Sequence, residues 1–580
     1  MKATEQDMSN IKAPWLANYG EVPFFLDYPE CSMSDRVLEI AHRYPSWTAL
    51  SFMGRNISYK KLEEMINITA KAFLSIGVHE GEKVTVCLPN VPQAIYCLYA
   101  LNRIGAVASM IHPLSAVGEI VHFINEVDSR VVVTLNQFYD KFVEVQKERP
   151  IEHLIICSVS EELSPAMALG FALTQGRKLP RIHRKKGIIR WSDFVMRGRA
   201  NNSVNFAVKM KPTDAAVVLF SGGTTGTSKG ILLSNLNFNA LALQTEAMSH
   251  AQVCGSKMLA AMPIFHGFGL GVCIHTMLAT GGQSILVPRF DVKSYAGLIK
   301  KNEPNFIAGV PTLYEALTRT DYLDGVNLGF LRGVFSGGDS LSTELKHKID
   351  AFLDEHGSPV HVREGYGTTE CVTASCLTPY NQERDGSIGL PYPDTFYKIC
   401  APGTVEEMPY GKDGEICLCG PSVMIEYLNY PEETAGTLVR HEDGHTWLHT
   451  GDLGFMDEDG FIYFKQRIKR MIVTSGYNVY PSQIENILDA HRAVQMSCVI
   501  GVDDPYKIQK VKAYVVLKNG VKPTEEIREE LFEHCRRNIA KYAMPYEIEF
   551  RDALPKTLVG KVAYTVLEKE SAEQQNKKKS

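Results

Sequence analysis

The chain has 580 residues, a formal net charge of −5 and a pI near 6.4, with 45% hydrophobic and 22% charged residues. This is the composition of an ordinary globular protein, and its charge balance gives no indication of nucleic-acid binding. The polar N-terminus MKATEQDMSN is no apolar signal segment, and no run of about 18 apolar residues follows, so the sequence predicts no membrane span. The 13 cysteines are scattered without a CxxC repeat, which predicts a reducing, cytoplasmic setting.

Short apolar runs alternate with segments of helical periodicity along the first part of the chain. This alternation predicts an α/β architecture with largely parallel sheets. From Met471 onward the pattern changes to a compact α+β unit whose last ten residues, SAEQQNKKKS, are expected to fray. The predicted strands are 83–89, 131–135, 154–159, 215–220, 284–288, 496–502 and 512–518, and the predicted helices include 35–44, 59–76, 91–104 and 524–539.

One segment differs from the rest in its charge. Residues 176–190, GRKLPRIHRKKGIIR, carry seven Lys or Arg residues and no acidic residue, and they follow an apolar stretch at 166–173. The segment is either a solvated insertion loop or a surface for a partner. The partner that we consider first is an anionic membrane, in peripheral contact with 166–190.

The stretch SGGTTGTSKG, residues 221–230, follows the apolar run 215–220 and combines glycines, hydroxyl side chains and one lysine. A nucleoside-triphosphatase phosphate loop requires GxxxxGK[ST], but Ser228 precedes Lys229 here and Gly230 follows it. A flexible Gly/Ser linker would explain the composition alone. A loop that grips a triphosphate with hydroxyls, backbone amides and one ammonium would explain the lysine as well.

Other motifs decide between these interpretations. The loop is similar to the signature [S/T]-G-T-T-G-x-P-K-G of the adenylate-forming superfamily, which includes acyl-CoA synthetases, and further motifs of that superfamily occur in the same order. They are PIFH at 263–266, GYGTTE at 365–370, TGD at 450–452, RIKRMIVTSGYNVYPSQIE at 467–485 and PKTLVGKV at 555–562. The sequence is thus identified as a member of this superfamily that resembles fatty-acid–CoA ligases.

The resemblance implies a large N-terminal domain of layered α/β subdomains, residues 1–466, a hinge at 467–470 with Lys469 at its centre, and a small mobile C-terminal α+β domain, residues 471–580. It also implies a two-step reaction. A carboxylate attacks the α-phosphate of ATP to give an acyl-adenylate and pyrophosphate, and a thiol then displaces AMP. ATP, Mg²⁺ and coenzyme A are the expected cofactors.

The resemblance assigns roles residue by residue. Lys561 neutralises the carboxylate and α-phosphate as they meet, Glu370 binds Mg²⁺, and the ring of Tyr366 stacks on adenine. Catalytic roles fall to Lys561, Thr225, Glu370 and His266. Nucleotide contacts are expected from Ser221, Gly222, Gly223, Thr224, Thr225, Gly226, Thr227, Lys229, Gly337, Gly338, Asp339, Glu364, Gly365, Tyr366, Gly367, Thr368, Thr369, Asp452, Arg467 and Lys561. Two motif positions depart from the family pattern, Asp339-Ser340 where Ala-Pro is usual and Tyr564 where Arg is frequent.

The acid and the thiol are constrained less tightly. His266, Gly267 and Gly338 are expected at the substrate, with the glycines at 267, 269 and 271 leaving room for an apolar acid. No Asp or Glu occurs from 251 to 290, where amino-acid-activating relatives usually have an aspartate, so a fatty or aryl acid is favoured. Ser475, Gly476 and Tyr477 are expected to line the path of the thiol.

Alternatives remain for the activity itself. The printed chain contains no carrier-protein domain, which favours coenzyme A as acceptor, but an acyl-AMP ligase that transfers to a separate acyl carrier protein would share every adenylation residue. A nucleotide-binding module without catalysis is a third interpretation, which the intact lysine, glutamate and aspartate disfavour. The sequence leaves the oligomeric state, monomer or homodimer, open.

Overall fold

The computed structural model describes residues 11–183, 185–221, 228–474, 477–504, 506–557 and 561–579. The strands of the large domain are β1 Thr48–Phe52, β2 Arg55–Ser58, β3 Lys83–Cys87, β4 Val107–Met110, β5 Val131–Leu135, β6 His153–Cys157, β7 Ile188–Arg190, β8 Ala215–Phe220, β9 Gly230–Ser234, β10 Lys257–Ala260, β11 Gln283–Leu286, β12 Phe306–Gly309, β13 Gly333–Gly337, β14 Val362–Tyr366, β15 Cys376–Leu377, β16 Leu390–Pro391, β17 Phe396–Cys400, β18 Gly414–Cys419, β19 Glu426–Tyr427, β20 Leu438–Arg440, β21 Thr446–Met456 and β22 Ile462–Arg467. Its helices are α1 Met33–Arg43, α2 Tyr59–Ser75, α3 Pro92–Arg103, α4 Val117–Glu126, α5 Tyr139–Glu148, α6 Pro165–Leu173, α7 Trp191–Ala200, α8 Asn235–Ser249, α9 Thr276–Thr280, α10 Val292–Asn302, α11 Pro311–Thr318, α12 Thr343–Glu355 and α13 Pro431–Thr437.

Two large sheets form the layers of this domain, and helices cover them. One has the strand order β19-β9-β8-β4-β3-β5-β6-β7 and is parallel from β8 to β7. The other has the order β16-β15-β14-β13-β12-β10-β11-β1-β2 and is parallel from β14 to β1. Every residue of β5, VVVTL, is buried, because a parallel strand between helical layers has no solvent face. The predicted α/β class with mostly parallel sheets is confirmed.

A third sheet is antiparallel and was not anticipated from the sequence. Its order is β17-β18-β21-β20, with β22 on the other part of β21. The long strand β21 pairs Asp452 with Arg467 of β22, so two motifs of the sequence meet across one strand pair. This sheet therefore brings β21 and β22, the last strands of the large domain, to the end of β14, where Tyr366 contacts Asp452.

The segment that holds Trp15 and Tyr19, near the beginning of the described residues, is fixed against the end of the large domain. Trp15 is 1% exposed and its ring meets that of Phe396 edge-on at 6.2 Å. Gly460, at φ +86°, approaches the backbone of Trp15 so closely that a Cβ would lie 2.3 Å from its nitrogen. Tyr19 Oη donates a hydrogen bond to the carbonyl of Pro391 at 2.7 Å.

The C-terminal domain has a sheet and a core of its own. Its elements are β23 Ile472–Thr474, β24 Tyr477–Val479, α14 Pro481–Asp489, β25 Val494–Asp504, β26 Ile508–Leu517, α15 Glu525–Asn538, β27 Glu547–Phe550 and α16 Tyr564–Lys579. The sheet order is β24-β23-β26-β25, and β27 pairs with β26 in parallel. One apolar cluster packs on each face of this sheet, one with α14 and α15 and one with α16.

The expectation of a frayed tail is wrong for the described part of the tail. Helix α16 continues to Lys579, and Leu567 and Ser571 are buried. The side-chain amide of Gln575 donates to the carbonyl of Asp503 at 3.2 Å. A polar sequence of good helix formers is held because one side of the helix packs on β25.

Within the described residues, each helix is too short or too polar to cross a lipid bilayer.

Candidate active site

The glycine–hydroxyl loop joins two antiparallel strands, β8 and β9, and its base is closed by hydrogen bonds. Ser221 N donates to the carbonyl of Lys229 at 3.0 Å, and Lys229 N donates to Ser221 Oγ at 3.0 Å. A hairpin base of this kind differs from the strand-to-helix turn of nucleoside-triphosphatase loops. The predicted contacts at Gly222, Gly223, Thr224, Thr225, Gly226 and Thr227 lie outside the described residues.

Lys229 extends from this base over an aromatic pair. Its Nζ lies 5.4 Å from the ring centres of both Tyr427 and Tyr430 and 3.2 Å from a carboxylate oxygen of Glu433. These contacts hold one ammonium group at the base of the loop, next to Tyr427.

Glu370 lies in a short 3₁₀ turn, Thr369–Cys371, directly after β14 and Gly367. Tyr427 Oη donates to Glu370 Oε1 at 2.7 Å. The turn that follows is strained, because Val372 and Thr373 have φ of 55° and 76°. A Cβ at Gly367 would lie 2.6 Å from the backbone of Thr373, so only glycine fits there.

Tyr366 and Arg467 meet at the buried carboxylate of Asp452, near the end of β14, and the Arg467 side chain remains half exposed. Tyr366 Oη donates to Asp452 Oδ2 at 2.7 Å, and Arg467 Nε lies 3.2 Å from Asp452 Oδ1. Asp452 is 2% exposed, and this burial raises the pKa of its carboxyl, whereas Arg467 and Tyr366 oppose the rise. The phenol of Tyr366 is thereby fixed with its ring beside Phe464, at 5.8 Å between centres.

Lys561 of the C-terminal domain reaches this region of the large domain. Its backbone exchanges hydrogen bonds with Thr557, from Lys561 N to Thr557 Oγ1 at 3.1 Å and from Thr557 N to the Lys561 carbonyl at 2.7 Å. A Cβ placed on Gly338, at φ +81°, would lie 3.8 Å from Lys561 Cε. Burial lowers the pKa of Lys561, and the carboxylates of Asp339 and Asp452 oppose this effect.

The glycine turn 337–339 and the neighbouring strand β14 form the side of the candidate site that faces Lys561. Gly337 ends β13 next to Gly365 of β14, so close that a Cβ at Gly337 would lie 3.0 Å from the carbonyl of Gly365. Asp339 still reaches solvent, but loss of water around its carboxyl raises its pKa, opposed mainly by Lys561. Burial raises the pKa of Glu364 to about 8, although Leu341 N donates to its Oε1 at 3.2 Å.

His266 lies on the same side as Lys561. Burial lowers the pKa of His266 to about 3, and the Lys561 ammonium adds to the effect, so the imidazole is neutral at neutral pH. Phe268 N donates to its Nδ1 at 3.3 Å, which leaves Nε2 to carry the proton.

The glycines after His266 do not leave room for a substrate, which corrects the expectation from the sequence. A Cβ at Gly267 would lie 2.2 Å from Thr373 Oγ1, and one at Gly269 would lie 2.1 Å from the Pro263 carbonyl. At Gly271 it would lie 2.5 Å from Leu241 Cδ2. Other atoms of the protein occupy the space that side chains at these positions would need. The glycines therefore allow the π-helical segment Phe268–His275 to pack closely against its neighbours.

The predicted hinge and thiol path lie at the start of the C-terminal domain. Lys469 is exposed in the short turn Ile468–Arg470, between β22 and β23. Tyr477 begins β24, with its backbone paired to Thr474. Ser475 and Gly476 lie outside the described residues.

Charged groups from four sequence motifs thus converge in one place. Asp452 interacts electrostatically with Arg467, Glu370 and Lys561, and Lys561 interacts with Asp339 across the domain boundary. No other part of the described chain unites so many of the predicted side chains.

The donor atoms present fit a nucleotide with a bound magnesium ion. Oδ1 of Asp452 is buried and lies 3.2 Å from Arg467 Nε, but among the described residues it accepts no hydrogen bond, so it can accept one from a hydroxyl donor such as ribose. Glu370 offers a half-buried carboxylate, which is the hard oxygen ligand that Mg²⁺ prefers, singly or in pairs, beside phosphate oxygens.

Family models match most of the chain. A model described as AMP-binding enzyme matches residues 37–428, and one described as AMP-binding enzyme C-terminal domain matches residues 483–561. The chain belongs to the AMP-binding enzyme family. The predicted adenylate-forming superfamily and the predicted class, an AMP-forming acid–thiol ligase that uses ATP, are confirmed.

Two comparisons of whole sequences show how far this AMP-binding enzyme resembles curated relatives. It is 34% identical to a long-chain-fatty-acid–CoA ligase of Bacillus subtilis (strain 168) over 568 residues, which are 97% of this chain and 98% of the relative. It is 32% identical to a long-chain-fatty-acid–CoA ligase of Yersinia pestis over 559 residues, 94% of this chain and 96% of the relative.

Two solved structures share the fold of this AMP-binding enzyme. ATP-bound MatB from Rhodopseudomonas palustris matches with a TM-score of 0.80 at 25% identity, over 93% of this chain and 99% of that one. The anthranilate CoA ligase AuaEII in complex with anthranoyl-AMP matches with a TM-score of 0.82 at 22% identity, over 96% and 99% of the two chains.

Several side chains at the site of this AMP-binding enzyme were missed from the sequence. Tyr427, which donates a hydrogen bond to Glu370, and Tyr430 were not predicted to lie at the site, and both occur in the stretch EYLNYPEE. His122 Nε2 lies 2.8 Å from the Ser228 carbonyl, and Gly230 N donates to Glu126 at 2.6 Å, so α4 supports the loop base. In the sequence, these two tyrosines are marked only by the acidic residues that follow them at the start of α13.

Glu364 predicts a pH effect on the stability of this AMP-binding enzyme. The pKa of Glu364 is about 8 in the folded state, whereas its ordinary value is 4.5. Between pH 4.5 and pH 8 the folded state therefore keeps a proton on this carboxyl that the unfolded state has released. Stability from this group therefore falls as pH rises through that window. Gln at 364 keeps the acceptor for Leu341 N, so we expect Glu364→Gln to show a smaller fall in melting temperature from pH 6 to pH 8. Glu355→Gln, at an exposed position on α12, is the control, and equal slopes for wild type and Glu364→Gln would contradict the prediction.

Proposed function

We propose that the protein activates a long-chain fatty acid with ATP and transfers the acyl group to coenzyme A, releasing pyrophosphate and then AMP. The observation that carries the proposal is the convergence of Lys561, Asp452, Arg467 and Glu370 on one region. The long-chain-fatty-acid–CoA ligases, similar over nearly the whole chain, support the acid and the thiol.

In the first step a carboxylate must approach a polyanionic triphosphate, so positive charge has to be held where they meet. Lys561 supplies a partly buried ammonium group, and the partial loss of water around it strengthens its attraction for developing charge. Arg467, paired with Asp452, lies on the same side and can share this role.

The nucleotide is held by groups that are fixed before it arrives. Asp452 offers the buried Oδ1 to ribose, and Tyr366 is held by its hydrogen bond to Oδ2 with its ring available to adenine. Glu370 would hold Mg²⁺, which, when bound, neutralises phosphate oxygens. Tyr427 orients the Glu370 carboxylate, and Lys229 adds a cation at the base of the phosphate loop.

The acid end of the site is neutral and apolar apart from Lys561. The imidazole of His266 is neutral, and its Nε2–H can donate a hydrogen bond to an oxygen of the substrate carboxylate. The stretch 251–290 contains no carboxylate to pair an α-ammonium group, which disfavours amino acids.

The second step requires the thiol to reach the acyl-adenylate. We assign the path of coenzyme A to the loop at Ser475, Gly476 and Tyr477, and the change between the two steps to a rotation of the C-terminal domain about Lys469. Domain boundaries at 466 and 471 are part of this proposal. No comparison supports the alternative in which an acyl carrier protein accepts the acyl group.

The test is ATP–pyrophosphate exchange with saturated acids from acetate to palmitate, with benzoate and glycine added, followed by thioester formation with coenzyme A or holo-acyl carrier protein. We expect exchange to rise with chain length and thioester to form only with coenzyme A. Exchange restricted to benzoate or glycine, or transfer only to the carrier protein, would contradict the proposal.

A further inference from the structure

Helix α6 is apolar on all sides and yet exposed. Its sequence is PAMALGFAL, and none of its residues is buried. Ala168 and Phe171 pack against the core of the large domain, whereas Met167, Leu169 and Leu173 are 41%, 64% and 55% exposed. A helix that is hydrophobic all round is normally enclosed, so the outer face of α6 lacks its covering.

The segment after α6 carries the opposite property. Arg177, Lys178, Arg181, Lys185, Lys186 and Arg190 are all exposed, and the sequence has no acidic residue between Glu162 and Asp193. The chain as a whole has a net charge of −5, so this concentration of positive charge is local.

Both features lie in one continuous segment, in which α6 contacts the basic turn that follows it, Gly176–Lys178. Glu162, before α6, is 5% exposed and pairs with Arg55 at 3.2 Å, which fixes the start of the segment. The basic residues end at β7, the edge strand of the first large sheet, followed by buried Trp191. The apolar helix and the cations are thus held between two anchored points.

We propose that residues 165–183 and 185–190 are a docking surface for a lipid bilayer that contains anionic headgroups. Met167, Leu169 and Leu173 insert at the boundary between headgroups and acyl chains, and the Lys and Arg side chains contact the headgroups. Apolar side chains alone or charge alone give weak, reversible binding, and the combination gives stable attachment. The charge favours a bilayer over an apolar protein partner, because such a partner would need no surplus of cations.

The test uses the full-length protein and sedimentation with vesicles of phosphatidylcholine, with or without phosphatidylglycerol. We expect binding to the anionic vesicles that weakens with added salt, and little binding to the neutral ones. Neutralising four cations in Arg177→Gln/Lys178→Gln/Lys185→Gln/Lys186→Gln should weaken binding by about 10²–10³-fold, because each of the four cations loses its attraction to the anionic headgroups.

A second variant tests the helix separately. Leu169→Gln/Leu173→Gln should also weaken binding about tenfold while leaving its salt dependence in place. Val204→Gln, at an apolar position that is 86% exposed outside the surface, and Lys293→Gln/Lys300→Gln/Lys301→Gln on α10 are the controls and should bind as wild type does.

Vesicle binding needs no substrate, so this result is independent of the proposed function. Wild-type protein that ignores anionic vesicles, or variants of the docking surface that bind as tightly as wild type, would overturn the proposal. All variants should retain the wild-type melting temperature, because the replaced side chains face solvent.

Discussion

Replacing Lys561 by alanine should abolish ATP–pyrophosphate exchange and leave thioester formation from preformed acyl-adenylate largely intact. The proposed function places the meeting of carboxylate and α-phosphate at the Lys561 ammonium, which interacts electrostatically with Asp339 and Asp452, and only the first step brings two anions together. Loss of one such preorganised charge costs on the order of 10²–10³-fold in rate. Exchange measured with wild type and variant at saturating palmitate and ATP gives the first value, and thioester yield from synthetic palmitoyl-adenylate gives the second.

Lys556→Ala provides the matched control for this experiment. Lys556 is exposed and its backbone pairs with that of Val562, next to Lys561. Its replacement removes a lysine from the same turn while the Lys561 side chain is kept. We expect near wild-type exchange from it. Equal loss of both half-reactions in Lys561→Ala would refute the assignment of this lysine to the first step.

Glu370→Gln should raise the magnesium concentration needed for half-maximal exchange at least about tenfold, a cost of about 1.4 kcal/mol. The amide oxygen can still accept the hydrogen bond from Tyr427 Oη, so the turn Thr369–Cys371 should remain folded while the negative charge is lost. Titration of Mg²⁺ at fixed ATP measures the effect, and thermal unfolding verifies the fold.

A surface glutamate near the site provides a control variant, which shows whether loss of any negative charge in this region changes the magnesium requirement. Glu426 is exposed on β19, adjacent to Tyr427, and Glu426→Gln should leave the magnesium requirement unchanged. If Glu370→Gln titrates as wild type does, Glu370 does not hold the ion, and the site must draw its ligands from elsewhere.

Local patterns carried much of the fold. The run VVVTL at 131–135 became β5, AAVVLF at 215–220 became β8, and the helix predicted at 59–76 is α2, Tyr59–Ser75. Apolar runs of this length have few alternatives when helical periodicity flanks them. The third sheet was missed because its strands β17 to β22 are mixed in polarity and find partners far apart in sequence, where no local pattern reports the pairing.

The site could be predicted as a set of motifs but not as a set of contacts. The motifs anticipated Tyr366, Asp452 and Arg467, and the structure adds the hydrogen bond and ion pair that join them. Tyr427 and Glu370 are joined only by tertiary structure. The glycines after His266 were misinterpreted because a missing side chain looks the same in sequence whether solvent, ligand or another backbone occupies the space.

The contacts of Trp15 have a consequence for synthesis of the chain. Its buried indole meets the ring of Phe396, and its backbone lies against Gly460, and both partners leave the ribosome hundreds of residues later. A growing polypeptide must therefore keep this aromatic ring uncovered through most of translation, and the large domain can close only near its end. Newly made chains would be most vulnerable to aggregation during that interval.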